Sequence, residues 1–600
     1  MLIIQKYGGT SVGTVERIQA VAKRVAKTAR DHSVVVVVSA MGKTTDGLVK
    51  LAQEISSNPS RREMDMLLST GEQVSIALLS MALQELGQPA ISLTGAQVGI
   101  VTEADHTRAR ILQICTDRLE EHLNAGKVVV VAGFQGISSS RNLEITTLGR
   151  GGSDTSAVAL AAALQADQCE IYTDVPGILT TDPRLVPEAQ LMSEITCNEM
   201  LELASLGAKV LHPRAVEIAR NYGIPLVVLS SWTDDPGTRV VSDKPKSRPL
   251  QGLELAKPVD AVEFDSDQGG ISLLRVPDRP GVAAQLFGGI ASQNLDVDLI
   301  IQSIHEANTN DIAFTVSQSS LKKAAAVADA LLPTLGKNLD PELGEPEVKM
   351  EDQPIAKVSL TGAGMIGRPQ IAAQMFMTLA DAGINILMIS TSEIKVSCVI
   401  HAEDCDRAVA ELCRVFEVTH SPITLEPDKA LLPPVRAVAL DKNQARLAIR
   451  HVLDKPGMAA NLFGQLAREN ISVDMIIQSQ RCRQVNGVLT RDIAFTVPLA
   501  DASAAQEILV KASQDLGCGE ISLDSDIAKV SVVGSGMVAH PGVAAQMFDA
   551  LSQRGINILM IATSEIKISC VVAKSQGEMA LKAVHDAFNL AGVERVEVPA

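Results

Sequence analysis

Aromatic side chains are almost missing from this chain: one Trp, three Tyr and ten Phe in 600 residues. Without a row of rings there is no platform on which nucleic-acid bases could stack. Positive charge is short as well. The 53 Lys and Arg are outnumbered by 70 Asp and Glu, for a formal charge of −17. That balance excludes the basic surface that DNA, RNA or an anionic membrane requires. No apolar run approaches the roughly 18–20 residues that cross a bilayer. From Met1 the chain passes straight into the strand-like LIIQ, with no signal or transit peptide, and a cytoplasmic protein is expected. The nine cysteines stand singly, without CxxC spacing, and several lie in apolar runs such as 396–400. They read as reduced, buried thiols. No stretch is polar enough to read as a long disordered tail.

What is present is apolar material for several cores, 46% of all residues, in a length that suits three to six domains. The first 240 residues alternate Val/Ile-rich runs with helical segments. SVVVVVSA (33–40), KVVVVAGF (127–134), CEIYTDV (169–175) and IPLVVLS (224–230) are continuous rather than alternating, as in a parallel sheet covered on both faces. Helices are expected at 63–86 and 155–164. The fold class is therefore α/β, a layered domain over 1–242, closed by a Pro-rich linker at 243–258.

Beyond the linker the chain repeats itself. PGVAAQLFGGIASQNLDVDLIIQS (280–303) aligns without gaps to PGMAANLFGQLARENISVDMIIQS (456–479), and 356–399 aligns likewise to 528–571. Within the second pair, INILMISTSEIK (384–395) and INILMIATSEIK (556–567) differ only at Ser390, which becomes Ala562. A two-module tandem duplicated once accounts for this: A (262–340), B (355–425), A′ (437–515) and B′ (527–600), with linkers at 340–354 and 426–434. Each module reads β-α-β-β-α-β, the ferredoxin-like order. INILMI is expected to be the buried second strand and TSE a hairpin turn.

Several motifs in the first 240 residues suit phosphate and carboxylate chemistry. KYGGTSVG (6–13) follows a strand with a cation, two glycines and hydroxyls, either a phosphate cradle or an ordinary tight turn; it is neither a Walker A nor a GxGxxG sequence. LGRGGSDTSA (148–157) offers Arg150, a bidentate partner for a carboxylate or phosphate, before a helix start. YTDVPGILTTDPR (172–184) lies after a buried strand, where α/β sheets place ligands. GAKVLHPRA (207–215) brings Lys209, SAMGKTTDGL (39–48) brings Ser39, Thr44 and Thr45, and STGEQVS (69–75) brings Glu72. His106 and His212 are expected to be structural.

Taken in this order, the motifs resemble the amino acid kinase superfamily and, within it, the aspartate kinases. The resemblance spans almost all of 1–240 and shows no departure at these positions. It implies that Lys6, Gly8, Gly9 and Thr10 hold the ATP phosphates, with Lys6 facing the transferring group. By the same resemblance Ser39, Thr173, Asp174, Arg184 and Lys209 position the nucleotide. Thr45, Glu72, Arg150, Gly151, Gly152 and Ser153 would form the aspartate pocket, Glu72 taking the ammonium and Arg150 a carboxylate. Asp154 would orient the phosphate-binding groups or the metal, so the catalytic set is Lys6, Arg150 and Asp154. The implied cofactors are ATP and Mg²⁺, with no separate protein metal site. A substrate carboxylate with a pKa near 4 is already ionised at pH 7 and needs no general base; the demand is for cations and N–H groups that relieve anion–anion repulsion.

Modules A to B′ resemble ACT domains, which bind amino acids in biosynthetic enzymes, so the full architecture expected is an αβα kinase domain followed by four ACT modules. VPDRPGVAA (276–284) and VLDKPGMAA (452–460) end a strand in Asp before Pro-Gly opens a helix. The resemblance implies effector residues Asp278, Gly281, Ala283 and Gln302 in A, and Asp454, Gly457, Ala459 and Gln478 in A′. Asn385, Ser390 and Thr391 in B and Met537, Asn557 and Thr563 in B′ are implied as well. Lysine and threonine are the effectors expected, and a homodimer through the modules. The extra pair of modules serves either effector binding or dimerisation alone. Module B carries Gln370 where the family has glycine, which puts its turn in doubt. A also has IHEANTND where A′ has the longer QRCRQVNGVLTRD. A kinase for another acidic substrate, and a non-catalytic amino-acid sensor, remain the rival readings.

Overall fold

Five buried valine positions, Val34–Val38, lie at the centre of the first unit in a computed structural model of the chain. The structure describes residues 1–592 apart from 208–209, 243–249, 255–256, 303–308, 337–344, 424–431, 480–482 and 486. Its described residues divide into two units, one up to Lys257 and one from Pro258 onward.

The first unit is built on an eight-stranded sheet. Its order is Glu194–Thr196, Thr238–Val241, Leu226–Ser230, Gln168–Thr173, Leu2–Tyr7, Ser33–Val38, Val128–Ala132 and Ala90–Leu93. All neighbours are parallel except Leu226–Ser230 with Thr238–Val241. Helix Gly152–Ala163 is buried on every side down to Ala162, which its Ala-rich sequence allows. The run expected as one helix over 63–86 is two, Arg61–Leu68 and Thr70–Glu85, meeting at Ser69. End to end, Arg61–Glu85 is long and apolar enough to cross a membrane by length and composition, contrary to expectation, but half of its most apolar window is packed inside the unit.

In the second unit A, B and A′ have the split β-α-β order, and B′ shows its first five elements, β-α-β-β-α, among the described residues. A is ordered Ile300–Gln302, Thr309–Ser317, Ala261–Pro277, Glu347–Met350 across its sheet. A′ matches it with Asp474–Gln478, Val488–Pro498, Gln444–Leu453 and Ile521–Asp524. The first strand of A is longer than its module needs. Its start, Ala261–Asp265, pairs with Ile355–Thr361 of B, and a register shift then carries it into its own sheet. Ala437–Asp441 does the same for B′.

The modules do not pair in chain order. A docks on B′, with Ile301 opposite Ala562 and Gln302 opposite Ile561, and Phe287 meets Phe548 at 5.5 Å between helices Val282–Ser292 and Val543–Gln553. B docks on A′ through helices Pro369–Asp381 and Met458–Arg468, where Phe376 meets Phe463 at 5.8 Å. Leu299, Met388, Met475 and Met560, one from each module, share a single apolar cluster. Each such side chain contributes roughly 1.5–3 kcal/mol on burial, so this shared core fixes the crossed pairing.

Candidate active site and effector cavities

Strands Leu2–Tyr7, Ser33–Val38 and Gln168–Thr173 are parallel neighbours, with Tyr7 beside both Val38 and Tyr172. The loops leaving them therefore emerge together, at the carboxyl ends where α/β sheets bind ligands. Gly9 must be glycine, because a Cβ there would stand 2.9 Å from the Ala40 carbonyl. Its own carbonyl accepts from Gly42 N at 3.0 Å, joining the two loops. Lys6 Nζ lies 2.7 Å from Asp154 Oδ1, both side chains only 12% exposed. Asp154 sits in the first turn of helix Gly152–Ala163, where the helix end favours negative charge. Ser39 Oγ donates to Ser153 Oγ at 3.0 Å, and Ala40 N donates to Glu72 Oε1 at 3.1 Å. Thr45 lies in the first turn of helix Thr44–Ile55, and the Thr10 carbonyl is held by Arg17 at 2.8 Å.

Glu72 is the electrostatic outlier. It is 3% exposed, and its Oε2 has no hydrogen-bond partner. Burial pushes its pKa up to about 7, against the pull of backbone donors from Glu72 and Ala40. A carboxylate in this condition calls for a cation.

The turn ahead of the helix carries Arg150, exposed, between Gly149 and Gly151, whose φ angles are 77° and 70°. A Cβ on Gly151 would lie 2.2 Å from His212 Cγ. Gly151→Ala is therefore expected to displace His212 or the helix start, to lower activity at least about tenfold and to lower Tm as well; steady-state kinetics and a melting curve check this. Residues missed by sequence reasoning hold this turn. Asp65, fully buried, accepts from the Thr147 hydroxyl, from Thr107 N at 3.1 Å, and has His106 Nδ1 at 2.7 Å. Arg214 donates to the Leu148 carbonyl and forks onto Glu254 at 2.8 and 2.9 Å. Arg214 stands inside the quoted 207–215 motif and Asp65 four residues ahead of the 69–75 motif, and a charge within a helical segment was the available signal. His106 and His212 both have partners, Asp65 and the Arg214 N–H that His212 caps at 3.4 Å.

Three nucleotide positions fare differently. Thr173 ends its strand and donates to Asp174 at 3.1 Å. Arg184 stands apart, 70% exposed and forked onto Asp182 at 2.7 and 2.9 Å, so the fork expected to face the nucleotide is turned to a neighbouring carboxylate. Lys209 lies outside the described residues.

In the second unit the implied effector residues separate into two matching cavities of about 20 Å³ each. One joins the turn of A to B′: Asp278, Gly281, Ala283, Gln302 and Asn310 with Asn557. Asn557 and Asn310 donate to Asp278 Oδ1 at 2.7 and 3.1 Å, and Gln302 donates to the Ile558 carbonyl at 2.7 Å. The other joins A′ to B: Asp454, Gly457, Ala459, Gln478 and Arg491 with Asn385. Met537 and Thr563 line neither; they border a larger cavity of about 410 Å³ around the Gly542 turn of B′. At the place of Gly542, module B has Gln370, which reaches the Ala467 carbonyl at 3.0 Å and so fills with a side chain what B′ leaves open. Ser390 and Thr391 also lie outside both small cavities. The Ser390 hydroxyl donates to the Thr563 carbonyl at 2.6 Å, and Thr391 to Asp474 at 3.2 Å. The Ser390/Ala562 difference is therefore a property of the module interface.

A parallel α/β unit with a lysine–carboxylate pair at its strand ends, followed by four ferredoxin-like modules, is the architecture of an amino acid kinase with ACT domains. Residues 1–230 match the amino acid kinase family, and 271–332, 358–416, 450–512 and 530–588 match ACT domains. The chain is 50% identical to the aspartate kinase of Stutzerimonas stutzeri over 70% of its length and 97% of that protein's. It is 49% identical to aspartokinase 2 of Bacillus subtilis over 70% of its length and 99% of that protein's. The crystal structure of aspartate kinase from Synechocystis matches it at 66% identity over the whole of both chains, with a TM-score of 0.86. The chain belongs to the aspartate kinases.

Proposed function

We propose that the chain transfers the γ-phosphoryl group of ATP to the β-carboxylate of L-aspartate, giving 4-phospho-L-aspartate. The reaction opens the synthesis of lysine, threonine and methionine, and the proposal includes feedback by lysine and threonine and a cytoplasmic setting. The observation that carries the reading is the Lys6–Asp154 pair at the strand ends, beside Ser153 and the buried Glu72. Lys6 neutralises charge on the transferring phosphoryl group, and Asp154 fixes its ammonium there. Backbone N–H groups of the 8–10 loop and of the helix start at Gly152 take phosphate oxygens. Glu72 takes the aspartate ammonium, and Arg150 its α-carboxylate. Thr173, Asp174 and Ser39 line the nucleotide side, with Arg184 and Lys209 assigned there by resemblance.

Mg²⁺ keeps several waters and leans on substrate phosphates, needing only one or two carboxylates from the protein. Among the described residues no three metal-ligating side chains gather, and Asp154 and Asp174 are of the right chemistry to assist. Mg²⁺ would supply charge neutralisation between the phosphates.

Asp278 and Asp454 hold effector ammonium groups while the helix starts at Gly281 and Gly457 take carboxylates. Both cavities are complete within one chain, so the homodimer belongs to the proposal as a further association of modules. Feedback requires two states of the second unit with unequal effector affinity.

The test of the activity is ADP release with aspartate, N-acetylglutamate and glutamate in turn. Aspartate is expected to give the highest kcat/KM. Equal rates on all three would remove aspartate from the assignment, and no ADP release at all would favour the sensor reading.

A further inference from the structure

The two small cavities are lined by sixteen positions each, and the duplication relates them one to one. Four positions differ: Pro277/Leu453, Arg279/Lys455, Val282/Met458 and Asn310/Arg491. The first and third exchange one apolar side chain for another, and the second keeps a cation. Only the last changes charge. Asn310 offers Asp278 a neutral amide at 3.1 Å, alongside that of Asn557. Arg491 instead places a guanidinium on Asp454, with Nε at 2.9 Å from Oδ2, opposite the Asn385 amide at 3.1 Å. Both residues stand one position before an Asp-Ile-Ala-Phe-Thr-Val strand, at the end of the segment whose length differs between A and A′. Free volume does not separate the cavities, since both hold about 20 Å³.

We infer that position 310/491 divides the two cavities between ligands: the A–B′ cavity takes an amino acid with a cationic side chain, lysine, and the A′–B cavity a neutral one, threonine. The inference rests on the effector reading above and deepens it. Both ligands share the α-carboxylate and α-ammonium that the helix start and the Asp receive in either cavity. They differ in one charge, and a fixed guanidinium in a small, water-poor wall repels a second ammonium where an amide does not. At separations of about 6–12 Å and an effective dielectric constant near 20, that repulsion amounts to a discrimination on the order of 10- to 100-fold.

Calorimetric titration of the full chain with lysine and with threonine tests this. The native chain is expected to bind one of each. Asn310→Arg should weaken lysine 10- to 100-fold and leave threonine unchanged, the retained threonine heat also reporting an intact fold. Arg491→Asn, which removes a charge and needs no new space, should add a second lysine site, and it carries the test if the first variant does not fold. Lysine affinity unaltered by Asn310→Arg, loss of threonine in its place, or an unchanged lysine count in Arg491→Asn overturns the assignment. A native chain that binds neither amino acid overturns instead the effector reading beneath it.

Discussion

Lys6→Ala is expected to lower kcat by on the order of 10²–10³, the loss typical of one preorganised charge partner of a transition state. The lysine and threonine titrations should be unaffected, because that side chain has no role in the second unit. The reasoning is geometric first. Lys6 is the second-last residue of the central strand, so its backbone is fixed by parallel partners on both sides, Val37 and Ile171. Its side chain is mostly buried, and Asp154 at 2.7 Å holds it at the mouth of a helix N-terminus. The alanine variant also strands Asp154 in a buried place, at a cost of up to about 3–5 kcal/mol of stability for a fully buried pair and less for one that keeps some water. Lys6→Met separates the two effects. It keeps the stem, and a double variant with Asp154→Asn should recover stability without recovering turnover. Rates of ADP release and melting curves of the two chains measure this; native turnover in Lys6→Ala would remove Lys6 from the chemistry.

The parts of this site that were legible in the sequence are those written in consecutive residues. Gly8–Gly9, Gly151–Gly152 and the Asp-x-Pro-Gly turns announce their backbone requirements locally, and the structure puts close approaches or left-handed φ angles at Gly9, Gly151, Gly281 and Gly457. The repeats were legible because 172 residues of separation left the 384–395 and 556–567 stretches nearly unchanged. Asp65 was not, because its partners His106, Thr107 and Thr147 lie 41, 42 and 82 residues away. The fork of Arg184 is held by a local partner instead, Asp182 two residues before it. The crossed pairing of A with B′ has no local signal at all. It follows from apolar faces that A and A′ present alike, and only the closed assembly decides between them. Ser390 illustrates the consequence, being placed by sequence beside a ligand and by the fold beside Thr563.

Glu72→Gln is expected to make the first unit more stable and the enzyme worse. In the unfolded chain Glu72 ionises near its ordinary value of 4.5, while burial raises it to about 7 in the fold. Between those values the unfolded chain gives up its proton first, so this group's contribution to stability falls as pH rises from about 4.5 to 7 and stays lost above. Glutamine keeps the acceptor for Ala40 N and removes the buried charge. At pH 8 the variant should gain about 2–3 kcal/mol, or roughly 5–10 °C in the midpoint of this unit. The same charge is what a substrate ammonium would meet at the unpartnered Oε2. Losing a charge-assisted hydrogen bond should cost 10- to 100-fold in kcat/KM for aspartate. The pH profile tells this apart from simple misplacement. Native kcat/KM for aspartate should climb toward a plateau through about pH 7, since that parameter reports the free enzyme, whereas kcat at saturating aspartate should level off at lower pH because the bound ammonium holds Glu72 ionised. In Glu72→Gln the rise near pH 7 should vanish. A variant that loses activity but keeps the rise would assign it to another group, and one that keeps native aspartate KM would separate Glu72 from the substrate.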